Sequence, residues 1–89
     1  MPEHFVGIHN GYEVTDILGI GGLGQVYLVR CLEDNRFYAL KVSGADELSA
    51  AILHREAQLL SAVEHPAFPD VREIWEKDEH VYLVMTYIE

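Results

Sequence analysis

The chain is poor in cysteine, poor in basic residues, and lacks any long apolar run. Its single cysteine, Cys31, rules out an intrachain disulfide and fits a reducing compartment, so a cytoplasmic location is the expectation. Six Lys and Arg stand against fifteen Asp and Glu, a formal net charge of −9. That balance argues against non-specific nucleic-acid binding and against docking on anionic membranes. No apolar run approaches the length of a membrane-spanning helix. The opening residues, Met1-Pro2-Glu3-His4-Phe5, lack the basic and apolar blocks of a signal peptide. There is no internal repeat and no low-complexity tract. None of the five histidines (His4, His9, His54, His65, His80) falls in a zinc spacing, and no cysteine pair accompanies them. Solvated or structural roles are expected for them, and no metal site.

What is present is a chain of 89 residues with 49% hydrophobic content, enough for one small folded domain. Residues 1–11 read as a loose arm. Tyr12 to Leu18 suits a first strand, and Gln25–Cys31 a second, rich in β-branched and aromatic residues. Between them lies Gly19-Ile20-Gly21-Gly22-Leu23-Gly24. The polar turn Glu33-Asp34-Asn35-Arg36 leads to a third strand, Phe37–Ser43. Asp46 suits a helix cap, and Leu48, Ile52, Leu59, Leu60 and Val63 then recur at helical spacing. Pro66 and Pro69 stop the helix near Glu64. Val71–Lys77 and His80–Tyr87 are a fourth and a fifth strand around an Asp78-Glu79 turn. Three strands, one helix and two strands do not alternate as βαβ units. The expected fold class is α+β: a five-stranded, mostly antiparallel sheet with one main helix across it.

The glycine run alone is a weak signal. In a dinucleotide-binding unit its last glycine would open a helix, and a P-loop would end in Gly-Lys-Ser/Thr. Here Gly24 leads into a strand, and Gly24-Gln25-Val26 is not a P-loop ending. What remains is a hairpin with a glycine tip and a lysine, Lys41, on the next strand. Glycines permit close backbone approach to phosphates, and a lysine supplies opposing charge. A lysine in an apolar strand needs a partner or a route to water. Glu56, in the middle of the helix, is the candidate partner. A lysine that merely snorkels to solvent is the plainer alternative, and the glycine turn and the helix glutamate weigh against it. Cys31 reads as a small strand residue rather than a nucleophile, and Trp75 and Tyr82 as packing residues.

Taken in order, these segments resemble the N-terminal lobe of a protein kinase of the eukaryotic-like Ser/Thr type, as found in bacteria. Leu18-Gly19-Ile20-Gly21-Gly22-Leu23-Gly24-Gln25-Val26-Tyr27 is similar to the glycine-rich loop. Tyr38-Ala39-Leu40-Lys41 resembles the lysine strand, and His54-Arg55-Glu56-Ala57-Gln58-Leu59-Leu60 the central helix. Glu64-His65-Pro66 resembles the turn after that helix, and Tyr82 to Glu89 the last strand and the start of the hinge. The resemblance covers residues 12–89. It implies ATP as ligand, with Leu18, Val26 and Ala39 lining an adenine pocket and Met85 as gatekeeper. It implies that backbone groups of Thr86 and Ile88 meet the adenine edge, and that Gly19, Gly21 and Gly24 cover the phosphates. It further implies that Lys41 holds the α- and β-phosphates and pairs with Glu56, both in catalytic roles. Leu60 and Val71 would belong to an internal apolar column. Leu23 and Thr86 depart mildly from the family pattern, Leu23 in place of an aromatic at the flap tip and Thr86 in place of an acidic hinge residue.

The sequence contains no His-Arg-Asp and no Asp-Phe-Gly. The resemblance assigns the catalytic aspartate and the magnesium ligands to those motifs. These 89 residues alone are therefore expected to be inactive, with magnesium bound only in a full-length enzyme. They read as a piece of a longer kinase or as a short natural protein keeping one lobe. The missing C-terminal lobe is then a partner. In its absence, apolar residues around Leu60, Val71, Trp75 and Met85 are expected to be partly exposed and to favour a homodimer. Two other readings remain: a stand-alone interaction module that needs no nucleotide, and an unrelated α+β domain with an accidental glycine turn.

Overall fold

A computed structural model describes residues 7–21, 24–63 and 65–87. Among them run β1 (Ile8–His9), β2 (Tyr12–Gly21), β3 (Gly24–Cys31), β4 (Phe37–Ser43), α1 (Glu47–Ala62), β5 (Val71–Lys77) and β6 (His80–Thr86). The strands form one sheet in the order β1-β2-β3-β4-β6-β5, and every neighbouring pair is antiparallel. The α+β expectation holds with one correction: the sheet has six strands, not five. The extra strand comes from the end of the supposed loose arm. Asn10 and Gly11 both take positive φ, 52° and 86°, and join Ile8–His9 to Tyr12–Glu13 as a two-residue hairpin. That is the conformation the Asn-Gly pair favours. Ile88, expected at the hinge, lies outside the described residues, as do Leu23 and Glu64.

Side chains alternate along β3, β4 and β6, and the two faces of the sheet bury different things. One face gathers Tyr12, Tyr27, Val29, Cys31, Leu40, Val42, Tyr82 and Val84 inside the curl of the sheet, with Trp75 packed against them. Trp75 stacks on Tyr82 at 5.1 Å and on Tyr12 at 6.0 Å between ring centroids. The other face buries Ala39, Val81, Leu83 and Met85 under Leu53 and Ala57 of α1.

A polar clasp on the first face ties the β5 edge to β2 and β4. Tyr12 donates its hydroxyl hydrogen bond to Glu73. Arg72 donates from Nε to the Tyr12 hydroxyl oxygen at 3.0 Å and from Nη1 to that of Tyr38 at 3.1 Å. Its guanidinium also lies 4.8 Å from the Tyr38 ring centroid and 3.3 Å from Glu33. Burial, then the bond to Glu73, pushes the Tyr12 phenol well above its ordinary value, so it stays a neutral donor. A register shift between Val71 and Glu73 accompanies the clasp, a bulge of the kind that re-aims side chains.

Helix α1 starts at Asp46, whose side chain accepts from the Ser49 backbone N–H at 2.8 Å and from the Ser49 hydroxyl at 2.8 Å. It ends at Val63, before the turn in which His65 Nδ1 accepts from the Ala67 N–H at 3.0 Å. The buried row of the helix is Ser49, Leu53 and Ala57. Of the residues expected from periodicity, Leu60 packs against the same cluster and the others lie elsewhere. Leu48 and Leu59 are 67% and 56% exposed, while Ile52 and Val63 are also open. Small side chains let the helix sit close to the sheet, so the bulkier apolar stripe turns away from it. The expected partial exposure holds at Leu60, Val71 and Trp75, which are half-buried, and fails at Met85, which is buried. Leu60 also borders an open apolar groove with Ile52, Leu59, Val63 and Phe68, beside Arg55 and Glu56.

Gly24 is where backbone approach is tightest. Its φ is +153°, and a Cβ there would lie 2.2 Å from the Val42 carbonyl oxygen. A Cβ on Gly19 would meet nothing within 4 Å. Gly24→Ala is expected to lower stability by about 1–3 kcal/mol in a urea melt, as overpacking does. Gly19→Ala should stay within about 0.5 kcal/mol of the parent.

The Ser49 backbone N–H, followed by its hydroxyl, holds the Asp46 carboxyl below its usual value. A carboxyl with a lowered folded value stabilises the fold above its unfolded value, near about pH 4, and loses that contribution as pH falls through the folded value. Melting temperatures from pH 6 to pH 2 should therefore show the parent's advantage over Asp46→Asn shrinking in acid.

Candidate functional site

The site is built on the face of the sheet that carries α1. Lys41 sits in the middle of β4, opposite Val26 on β3 and Leu83 on β6. Ala39, two residues earlier, lies opposite Leu28 and Met85. Paired residues point to the same side of a sheet. The register thus brings Val26, Ala39, Lys41 and Met85 onto one face. Ala39 and Met85 are buried, and Val26 packs against the same cluster.

Glu56 reaches this face from α1. Its Oε1 accepts from Lys41 Nζ at 2.8 Å, and the two side chains are 31% and 33% exposed for Lys41 and Glu56 respectively. The pair is therefore formed yet still open to solvent. An ammonium has three donors, and Glu56 uses one. The others can meet anionic oxygens without breaking the pair.

The glycine run is narrower than a loose loop. Pairing continues into it, with Gly19 opposite Val26, Ile20 opposite Gln25 and Gly21 opposite Gly24. β2 carries two register shifts, between Val14 and Asp16 and between Ile17 and Gly19. The second falls at Leu18, immediately before the first glycine. It gives Leu18 an extra residue's freedom to be aimed away from the ladder, and Leu18 is 41% exposed.

At the far end of β6, Thr86 behaves differently from the simplest expectation. Its backbone N–H donates to the Asp70 carbonyl at 2.9 Å, and its hydroxyl accepts from the Asp70 N–H at 3.1 Å. A donor role toward a ligand is closed at Thr86. Any ligand contact through its backbone falls to the carbonyl.

The structure thus brings Val26, Ala39, Lys41, Glu56 and Met85 together, with Gly19, Gly21, Gly24 and Leu18 on the hairpin that leads to them. Leu60 and Val71 pack against the cluster beneath α1. Sequence reading misses the Thr86–Asp70 bonds and a second tie on α1, between His54 and Glu76 at 3.0 Å. Both join residues far apart in the chain, and no local pattern announces them. Among the described residues no group of His, Cys, Asp and Glu is arranged to hold a metal, and no helix is long and apolar enough to cross a membrane.

Comparison with known proteins converges on one family. The protein kinase domain model matches residues 12–89. The serine/threonine-protein kinase pkn2 of Myxococcus xanthus is 40% identical over 99% of this chain and 11% of its own length. The serine/threonine-protein kinase PknB of Mycolicibacterium smegmatis is 34% identical over 99% of this chain and 15% of its own length. The crystal structure of the Mycobacterium tuberculosis PknI kinase domain superposes with a TM-score of 0.70 at 28% identity, covering 93% of this chain and 36% of that one. The apo form of PpkA-294 gives a TM-score of 0.82 at 21% identity over 92% of this chain and 37% of that one, a likeness of fold. The chain thus spans well under a fifth of the length of these two curated relatives. It belongs to the protein kinase domain family, of which it forms an N-terminal portion homologous to Ser/Thr kinases.

Proposed function

We propose that this lobe is the ATP-binding half of a Ser/Thr protein kinase, and that the Lys41–Glu56 pair is its phosphate-holding centre. The observation that carries the reading is that pair: formed at 2.8 Å, on the face shared with Val26, Ala39 and Met85, and still one-third open. The donor set fits a nucleotide. Lys41 keeps ammonium donors for the α- and β-phosphate oxygens. Leu18, Val26, Ala39 and Met85 offer apolar surface for a purine. Gly19 leaves open space where a side chain would otherwise stand. Gly21 and Gly24 close the hairpin above it.

In this reading Lys41 and Glu56 are the catalytic residues within these 89 positions. Glu56 orients the ammonium, and Lys41 neutralises phosphate charge. The Thr86 carbonyl and the Ile88 backbone meet the adenine edge. Bound Mg-ATP supplies the transferable phosphoryl group, and the protein hydroxyl that receives it docks on the rest of the enzyme. The aspartate and asparagine that family members use to orient the hydroxyl and hold magnesium are not among these residues. Alone, the chain binds nucleotide without turning it over.

The open groove of Ile52, Leu59, Leu60, Val63 and Phe68 favours a second reading, an interaction module that docks a protein chain along α1. A second copy of this chain is the first occupant to test. Light scattering should show mass rising toward a dimer with concentration, and a constant monomer mass counts against it.

Calorimetric titration with Mg-ATP tests the main reading. Weak binding is expected, reduced about tenfold or more in Lys41→Ala, since a charge-assisted hydrogen bond contributes about 1.5–3 kcal/mol. No heat at millimolar nucleotide would remove the half-site as a working property of this chain.

A further inference from the structure

Helix α1 is lightly held. Of its sixteen residues only Ser49, Leu53 and Ala57 are buried, and two of those are small. A buried row this narrow, one of its three residues polar, fixes the distance of a helix from a sheet better than its rotation. Rotation is what decides whether Glu56 reaches Lys41.

Two polar ties flank the strip. On one flank Glu56 meets Lys41 of β4 at 2.8 Å. On the other, His54 Nε2 meets Glu76 Oε2 of β5 at 3.0 Å. Residues two apart on a helix lie about 200° apart around its axis, so the ties pull on opposite sides of the same row. His54 also borders a shallow groove with Ala57, Gln58, Ser61, Val71 and Ile74, where α1 meets β5. Turning the helix one way lifts Glu56 from Lys41, and turning it the other way lifts His54 from Glu76, so the two ties together bracket its rotation.

We propose that His54 is a positioning residue for the Lys41–Glu56 pair, acting through its tie to Glu76 on β5. The inference rests on the reading of that pair as the phosphate-holding centre, but the tie itself is independent of nucleotide. It makes β5, an edge strand remote from the glycine hairpin, a second support for the site. The His54–Glu76 tie is exposed and individually weak, and the Lys41–Glu56 pair is partly buried. Their opposition about the buried row is what gives the weaker tie control over the other.

Lysine reactivity tests this without nucleotide. The chain has two lysines, Lys41 and Lys77, whose acetylation by an N-hydroxysuccinimide ester is resolved by peptide mass spectrometry against free Nα-acetyl-lysine as rate standard. Glu56→Gln should raise the Lys41 rate by releasing the ammonium. His54→Ala and Glu76→Ala should each raise it by about two- to fivefold, the range that loss of an exposed pair permits. His54→Gln, which keeps a donor near the Nε2 position, should restore the parent rate. A Lys41 rate unchanged in His54→Ala but raised in Glu56→Gln overturns the inference and leaves the pair intact. So does an increase that His54→Gln fails to undo, or an equal increase at Lys77 in His54→Ala, which marks general loosening. A Lys41 rate unchanged in Glu56→Gln overturns the pair itself, and this inference with it.

Discussion

An ammonium set into the middle of an apolar strand has to be matched, and the lobe is arranged around that requirement. Lys41 is bordered by Val26 and Leu83 in the sheet, neither of which can receive a hydrogen bond from its side chain. Its partner must come from outside the sheet, so a helix has to cross this face at a height and rotation that deliver a carboxylate. The close approach of α1 through Ser49, Leu53 and Ala57 sets the height. The cap at Asp46 fixes where the helix begins, and therefore which residue, ten positions on, reaches the strand. Exposure of about one-third on both partners keeps the match from becoming a sealed ion pair, whose desolvation would be costly and whose ammonium could serve no ligand.

The sheet meets a different constraint. Six strands that curl around an aromatic core leave two edges that face each other without a full ladder between them. Side chains do the closing. Arg72 and Glu73 of β5 reach Tyr12 and Tyr38, and the stack of Tyr12, Trp75 and Tyr82 fills the gap behind them. Arg72 suits this task because its planar guanidinium donates in several directions while lying over the Tyr38 ring. The Asp34 carboxyl, held below its ordinary value first by the Tyr38 hydroxyl and then by the Arg36 N–H, extends the same network to the β3–β4 turn. The polar closure faces away from α1, so it leaves the site face free.

Much of this was legible in the sequence, for local reasons. The β2, β3 and β4 segments, the Asp46 cap and the Lys41–Glu56 pairing rest on signals that lie within a few residues or on motif order. The order of Gly24 before a strand rather than a helix was enough to set aside the dinucleotide and P-loop readings. β1 was also written in the chain, as Asn10-Gly11 between short extended segments, but a two-residue strand falls below what periodicity can resolve. The helix face shows a firmer limit. Periodicity reveals that Leu48, Ile52, Leu59 and Val63 share a stripe, but not what covers it. The smaller row wins the contact with the sheet because close approach favours Ser49 and Ala57. The Arg72 clasp, the Thr86–Asp70 bonds and the His54–Glu76 tie join residues far apart in the chain, and only the fold brings them together.

The alternation along β4 divides one short segment between two kinds of selection. Leu40 and Val42 answer to the aromatic interior, while Ala39 and Lys41 answer to the face beneath α1. Even-numbered positions there pack the aromatic core, and of the odd-numbered ones Ala39 packs the core beneath α1 while Lys41 meets Glu56. Drift in the interior can therefore be absorbed by neighbours such as Val29 and Val84 without touching the ammonium. Lys41, half-exposed and outside both buried clusters, could be replaced with the two cores left as they are. Charge and packing are therefore separable at Lys41 in a way that they are not at its neighbour Ala39, two positions earlier on the same face.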